Sequence, residues 1–248
     1  MSISAGFHGA VSGHGIVIAV DGPSASGKSS ASRGAARALG LHYLDTGSMY
    51  RALTWWILAR GVPVDDADVV AEVAREPIIE VGTDPDGPWV TVDGQDVTSA
   101  IRTQEVTGAV SAVARVPQVR RQLIGQQREI IAGARAEGRG IVAEGRDIGT
   151  VVAPDAVVKV FLTASERARA QRRTADLTRG PVAGPAVTVR ATETDQARRD
   201  RMDAAQLARA DDAVEIDSTM FGLEEVIGMI AHLAQERAGL PDTARTTR

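Results

Sequence analysis

Short apolar runs and helical spacings alternate along most of the chain. Ile16–Val20 is β-branched and apolar, and it predicts a strand buried on both faces. Ala31–Leu39 reads as an alanine-rich helix that starts near Gly27 and stops at Gly40. His42–Asp45 is a short strand running into a polar cap, with Ser48 placed to cap a helix that continues to Arg60. Leu53, Trp56, Ile57 and Arg60 fall at helical spacing, so Trp55 and Trp56 are expected in the core or lining a groove, with base stacking as the alternative. Gly61-Val62-Pro63-Val64 breaks that helix, and Asp65–Arg75 reads as a short amphipathic one. Ile78–Val81 and Trp89–Val92 then flank a Gly/Pro/Asp turn, the pattern of a β-hairpin, and Asp93-Gly94 starts a further turn.

Helical sequence resumes after Glu105. Pro117 suits a helix start, and Arg120, Leu123, Gln127, Ile130 and Ile131 continue with helical period until Gly138. Ile141–Glu144 and Ala156–Leu162 are buried-type strands. An arginine-dense helix follows over Thr163–Arg173, then a Pro/Gly break at 180–185 and a charged helix over Thr192–Arg209. Ala213–Ile216 is a last strand and Leu223–Ala238 a last amphipathic helix. The alternation predicts an α/β domain with a mostly parallel sheet. Its core is expected over 15–61 and 106–238, interrupted by an inserted subdomain at 62–105. Residues 1–14 read as a flexible leader without the features of a signal peptide, and 239–248 as a flexible tail.

The junction after the first strand carries chemistry. Gly22, Pro23, Ser24, Ala25, Ser26, Gly27, Lys28, Ser29 and Ser30 contain a glycine, four residues, then Gly-Lys-Ser. That is a phosphate-binding loop. The glycines permit turns that a Cβ would block, and successive N–H groups form a nest for polyphosphate oxygens. The helix start adds the positive end of its dipole. Lys28 supplies a point charge for the β- and γ-phosphates, and Ser29 a hydroxyl for Mg²⁺.

Composition adds mainly exclusions. The 248 residues carry 28 Lys and Arg against 32 Asp and Glu, a net charge of −4 that gives no reason to expect nucleic-acid binding. Cysteine is absent, which removes disulfides and thiolate metal sites and fits a cytoplasmic location. No apolar run approaches the ~20 residues of a membrane span.

Two further stretches suit anion binding. Arg51 follows a strand and a Thr-Gly turn at a helix start, which fits a phosphate ligand, although a solvated surface arginine is the alternative. Glu144-Gly145-Arg146-Asp147 ends a strand where ligands of open α/β sheets collect. Glu144 is placed to approach Mg²⁺, and Arg146 to clamp a phosphate or merely pair with Asp147. The late arginine-rich helices are either solvated faces or a mobile lid over ATP, at about 165–205.

Taken together, Gly22–Ser30, Leu44–Arg51, Ile101–Val106, Val116–Arg121, Glu144–Val152 with Pro154–Ala156, and Asp212–Ser218 resemble the bacterial cytidylate kinase family. The resemblance spans roughly 16–235. It implies transfer of the ATP γ-phosphoryl group to CMP or dCMP with Mg²⁺, by a monomer that needs no nucleic acid or membrane. It also implies the P-loop nucleoside-monophosphate-kinase fold, a five-stranded parallel core with helices on both faces, a monophosphate-binding insert and an arginine-bearing lid. By the family pattern Arg51 and Arg146 clamp the CMP phosphate, and Ser111, Arg120 and Asp147 read cytosine. Thr46 also belongs to the CMP side. Arg199 and Asp203 match the pair that holds the ribose hydroxyls, and Arg169 and Arg173 the donor-side lid arginines. Gln206 departs from the pattern, which has an arginine there, and it is expected on the same helix face as Arg199 and Asp203. Rival readings are a kinase for another monophosphate or a small metabolite, an impaired relative that mainly binds nucleotide, and a nucleotide-dependent switch. The last lacks any guanine-reading Asn-Lys-x-Asp stretch.

Overall fold

The computed structural model describes residues 15–179, 188–204 and 206–238. The expected leader, the tail and the Pro/Gly break at 180–185 lie outside the described residues.

Five parallel strands build the main sheet: β1 (Val17–Asp21), β2 (His42–Asp45), β6 (Ile141–Gly145), β7 (Val158–Thr163) and β8 (Val214–Asp217). Their spatial order is β2-β6-β1-β7-β8, so β1 is the central strand. Side chains of β1 alternate between the two faces, as a strand's period of two requires. Val17 and Ala19 join one hydrophobic cluster, and Ile18 and Val20 the other. On the second face lie α1 (Lys28–Leu39) and α8 (Leu223–Ala238). The first face is covered by α2 (Thr46–Ala59), α4 (Gln104–Ala114) and α5 (Pro117–Ala136), with Met49, Leu53, Ile57, Val113, Val119 and Leu123 buried there.

Helix ends follow local chemistry. Gly40 takes the left-handed conformation (φ 66°) that closes α1, and Pro117 opens α5. The cap of α2 differs from expectation. Asp45, not Ser48, occupies the N-cap, and its carboxylate accepts from the Ser48 amide at 3.0 Å. The helix therefore starts at Thr46, three residues early.

Residues 62–105 carry α3 (Ala67–Val73) and a small antiparallel sheet of β3 (Ile79–Val81), β4 (Val90–Val92) and β5 (Gln95–Asp96). Beyond the expected hairpin, Asp93 and Gly94 at positive φ (51° and 77°) turn the chain into a third strand. Val70, Ile79, Val90, Val92 and Ile101 belong to the same cluster as Leu53 and Trp56. Trp56 is a core side chain, and its indole N–H donates to Asp93 Oδ2 at 2.9 Å. Arg60 lies over its ring, 3.5 Å from the centroid.

Arginine-rich α6 (Glu166–Arg179) packs against α7 (Val189–Asp203). The second of these was expected to run to Arg209. It ends at Asp203, and the chain turns through Gln206 N–H to Asp203 O at 2.8 Å.

Gly22 sets how closely the loop after β1 passes under β7. A Cβ there would stand 2.2 Å from the Leu162 carbonyl oxygen, a backbone atom with no room to move. Gly22→Ala is therefore expected to cost at least ~2 kcal/mol of stability in urea unfolding, as overpacking against rigid backbone does. A cost under ~0.5 kcal/mol would contradict that reading.

Candidate active site

The phosphate loop leaves the carboxyl end of the central strand and closes at Gly27, whose φ of 92° is open chiefly to glycine. Ala25 also adopts a left-handed turn (φ 59°), a strained choice the spacing alone did not reveal. Helix α1 then begins at Lys28, so its first amides face the loop.

A cleft of ≈ 400 Å³ opens in front of this loop. Ser24, Ala25, Gly27, Lys28, Ser29 and Ser30 line one end. Arg51, Ser111, Arg120, Arg146, Asp147 and Asp203 line the rest, with Thr46, Glu144 and Arg173. Residues from seven separate stretches of sequence thus meet around one space. Gly22, Pro23, Ser26 and Arg169 do not line it. Arg199 lies on α7, but its side chain is outside the described residues.

Cations dominate the cleft, and most are held by internal partners. Arg146 donates to Gly22 O at 2.7 Å and pairs with Asp203 at 3.0 Å. Arg120 pairs with Asp147. Arg51 donates to Ile101 O at 3.1 Å and to the Thr107 hydroxyl at 2.9 Å. Arg169 is buried, paired with Asp200 at 2.6 Å and bonded to Ser24 O at 3.2 Å. Its present contacts make it a strut between α7 and the phosphate loop.

Arg172, which no motif marks in the sequence, also holds the phosphate loop. It donates to Ser26 O at 3.1 Å, to Ser218 Oγ at 2.9 Å and to Ser218 O at 2.6 Å. Ser218 itself donates to Ser26 O at 3.0 Å. These bonds pin the outer side of the loop, which leaves Ser26 buried. The run Arg172-Arg173 was visible in the sequence, but helical spacing could not say which arginine turned to the loop. Gln206, past the end of α7, still lines the cleft and donates to Ala114 O at 3.1 Å.

Glu144 is the buried carboxylate beside Lys28. Tyr43 donates to its Oε1 at 2.8 Å, and the Thr46 hydroxyl donates to its backbone carbonyl at 2.7 Å. Its Oε2 has no hydrogen-bond partner, and the Lys28 ammonium lies 3.9 Å away. Burial pushes the Glu144 carboxyl above the usual range, with the Asp45 charge adding to the rise and Lys28 opposing it. Burial likewise holds Lys28 below an ordinary lysine, Arg146 adds to the depression, and Glu144 resists it. The Glu144 carboxylate, beside Lys28 and the Ser29 hydroxyl at the head of α1, offers oxygens that fit a divalent cation. Among the described residues no group of three or more His, Asp or Glu forms a metal cage. A Mg²⁺ ion that keeps water and phosphate oxygens as its main ligands needs none.

A phosphate loop at the centre of a parallel sheet, facing an arginine-lined acceptor cleft, defines a P-loop kinase with the nucleoside-monophosphate-kinase fold. Residues 18–236 match the cytidylate kinase family. A cytidylate kinase of Streptomyces griseus subsp. griseus is 49% identical over 224 residues, covering 89% of this chain and 93% of that protein. Those of Rhodococcus opacus and Geobacillus kaustophilus are each 46% identical over 229 residues, covering 91% and 90% of this chain and 97% and 98% of theirs. The chain belongs to the cytidylate kinase family.

Asp21 is a second functional-site neighbour that the sequence does not mark. It ends β1, is buried, and accepts from the Ile148 amide at 2.7 Å and the Gly149 amide at 2.8 Å. Burial pushes its carboxyl up to about 6, against the pull of these two amides; the Asp147 charge adds to the rise and Lys28 opposes it. With the folded value above the unfolded one, its contribution to stability is complete below pH ~4 and is lost as pH rises through about 6. Urea unfolding of wild type and Asp21→Asn should therefore diverge with pH. Between pH ~4 and ~7 the difference should move against the wild type by up to ~3 kcal/mol. A difference that stays flat with pH would show that the carboxyl is not so raised.

Proposed function

We propose that this protein transfers the γ-phosphoryl group of ATP to CMP or dCMP, giving CDP or dCDP and ADP. The observation that carries the reading is the shared cleft, with the Lys28 loop at one end and the Arg120–Asp147 pair at the other. The donor phosphates bind the 22–30 loop, and Lys28 neutralises charge on the β- and γ-phosphates. Arg51 and Arg146 clamp the acceptor phosphate. Arg120 donates to the O2 and N3 edge of cytosine, Asp147 accepts from the N4 amine, and Ser111 adds a hydroxyl. Arg199 and Asp203 hold the ribose, and Arg169 and Arg173 belong to the donor side of a lid formed by α6 and α7.

The acceptor phosphate is already anionic at neutral pH, so the reaction needs alignment and charge neutralisation more than a general base. Ligand binding exchanges internal partners for substrate ones. The CMP phosphate replaces Gly22 O and Asp203 as partner to Arg146, which frees Asp203 for the ribose. Ser29 and Glu144 would hold Mg²⁺, which when bound neutralises charge on the transferring phosphates. The 62–105 insert acts as the monophosphate-binding element, and its Arg102 reaches the cleft beside Arg51. The reading includes action as a monomer. A cysteine-free composition supports a cytoplasmic location. No helix among the described residues is long and apolar enough to cross a membrane.

Turnover of CMP with ATP, set against UMP, AMP and shikimate, tests the proposal. CMP should be phosphorylated with the highest kcat/KM, and a preference for any of the others would overturn it. Lys28→Ala should lower kcat by ~10²-fold or more, about 3 kcal/mol of transition-state stabilisation, while the fold survives. Near-normal turnover from that variant would exclude Lys28 from the role.

Uracil presents a carbonyl where cytosine presents its amine, and that oxygen would face the Asp147 carboxylate. Repulsion and an unpaired buried acceptor should disfavour UMP by a few kcal/mol. Asp147→Asn should narrow the CMP-over-UMP ratio of kcat/KM. The role fails if steady-state kinetics return the same ratio.

A further inference from the structure

We propose that Asp21 is the positioning residue for the acceptor side of the cleft. It caps the turn that carries Arg146 and Asp147, a task that would otherwise fall to Asp147 itself.

The chain leaves β6 at Gly145 and enters a five-residue π-helical turn at Ile148–Val152. Asp147 stands at the N-cap of that turn, yet its side chain makes no capping bond. An aspartate at an N-cap ordinarily folds back on the first amides. Here those amides are already taken. Asp21, on the neighbouring strand, accepts from Ile148 N–H through Oδ1 at 2.7 Å and from Gly149 N–H through Oδ2 at 2.8 Å. The Asp147 carboxylate is thereby left to turn into the cleft and pair with Arg120.

The same junction fixes Arg146. Its guanidinium donates to the carbonyl of Gly22, the residue after Asp21, at 2.7 Å. Residues 21 and 22 thus receive three hydrogen bonds from residues 146, 148 and 149. Close packing supports the arrangement, since a Cβ on Gly149 would stand 3.2 Å from Lys159 Cδ and 3.4 Å from Asp21 Oδ2. The carboxylate sits where the donor loop begins and holds the turn that receives the acceptor. A two-oxygen acceptor suits two parallel amides. Asparagine would offer one oxygen and set an NH₂ against the second amide.

The inference rests on the proposed phosphoryl transfer to CMP, and its test separates the two. Wild-type turnover with CMP decides the reaction. For Asp21, the readout is the split between substrates in Asp21→Asn. KM for CMP should rise at least tenfold, the CMP-over-UMP ratio should fall at least fivefold, and KM for ATP should stay within twofold. A structural role alone would reduce the active fraction, and so kcat, while leaving both KM values and the base ratio in place; that pattern would overturn the proposal. Equal increases in KM for ATP and CMP would overturn it as well. Action through Asp147 adds a second arm: in the double variant with Asp147→Asn, the losses in base ratio should be non-additive. Additive losses would remove the link. If Asp21→Asn does not fold, amide hydrogen exchange on the wild type decides. Ile148 and Gly149 should both be strongly protected, and rapid exchange at either would refute the cap. If the wild type prefers another monophosphate, the same KM split is read with that acceptor, so a wrong substrate does not hide a right cap.

Discussion

Much of the active-site geometry depends on β1 and β6 lying side by side in one register. Val20 is opposite Glu144, and Asp21 is opposite Gly145. Parallel pairing aligns the carboxyl ends of both strands, so two segments about 125 residues apart in sequence leave the sheet at the same edge. One becomes the phosphate loop and the other the turn with Arg146 and Asp147. A slip of one residue would put every alternating side chain of β6 on the wrong face. Ile141 and Ala143 would exchange clusters with Val142. The hydrophobic core therefore enforces the register that the chemistry needs.

The charge in this edge would repel itself without compensation. Lys28, Arg51, Arg102, Arg120, Arg146 and Arg173 share one cleft. Burying an arginine without a partner costs several kcal/mol, so the internal pairs are a condition of folding rather than decoration. Asp147, Asp203 and Asp200 supply them for Arg120, Arg146 and Arg169. Asp200 and Asp203 both come from α7. This helix is amphipathic only weakly, and its buried positions include the polar Thr192 and Gln196. Ion pairs to the core are a large part of what seats it. Interactions of that kind are easily exchanged for those of a polyanionic ligand.

The insert solves a different problem. Its three short strands offer too little apolar surface for an independent core. Val90, Val92 and Ile101 instead pack on α2 through Trp56. The Trp56–Asp93 bond then ties the tight turn of the small sheet to the same helix. Arg51 lies on α2 and bonds Ile101 O and the Thr107 hydroxyl, so this cleft arginine is anchored by the end of the insert and the helix that follows it.

Features that depend on near neighbours are legible along the chain. The five main strands lie within a residue or two of their predicted places; the inner three are legible because burial on both faces demands continuous apolar sequence, while the edge strands β2 and β8 mix apolar and polar residues. The phosphate loop is legible because nest and helix start are built from consecutive residues. The family is legible because several such local runs recur together. Only the tertiary structure decided which polar atoms meet. Helical periodicity could not end α7 at Asp203, because the alanine-rich residues 204–209 keep helical propensity and the stop is set by the turn toward Ala114. Nor could it choose Arg172 over Arg173 for the bond to Ser26, since that depends on how α6 is rotated against β8. Asp21 looked like the polar end of a strand, and its two amide partners lie 127 and 128 residues away. Hydrogen bonds between distant segments have no period in sequence. They are fixed when the hydrophobic faces pack and every buried donor must find an acceptor.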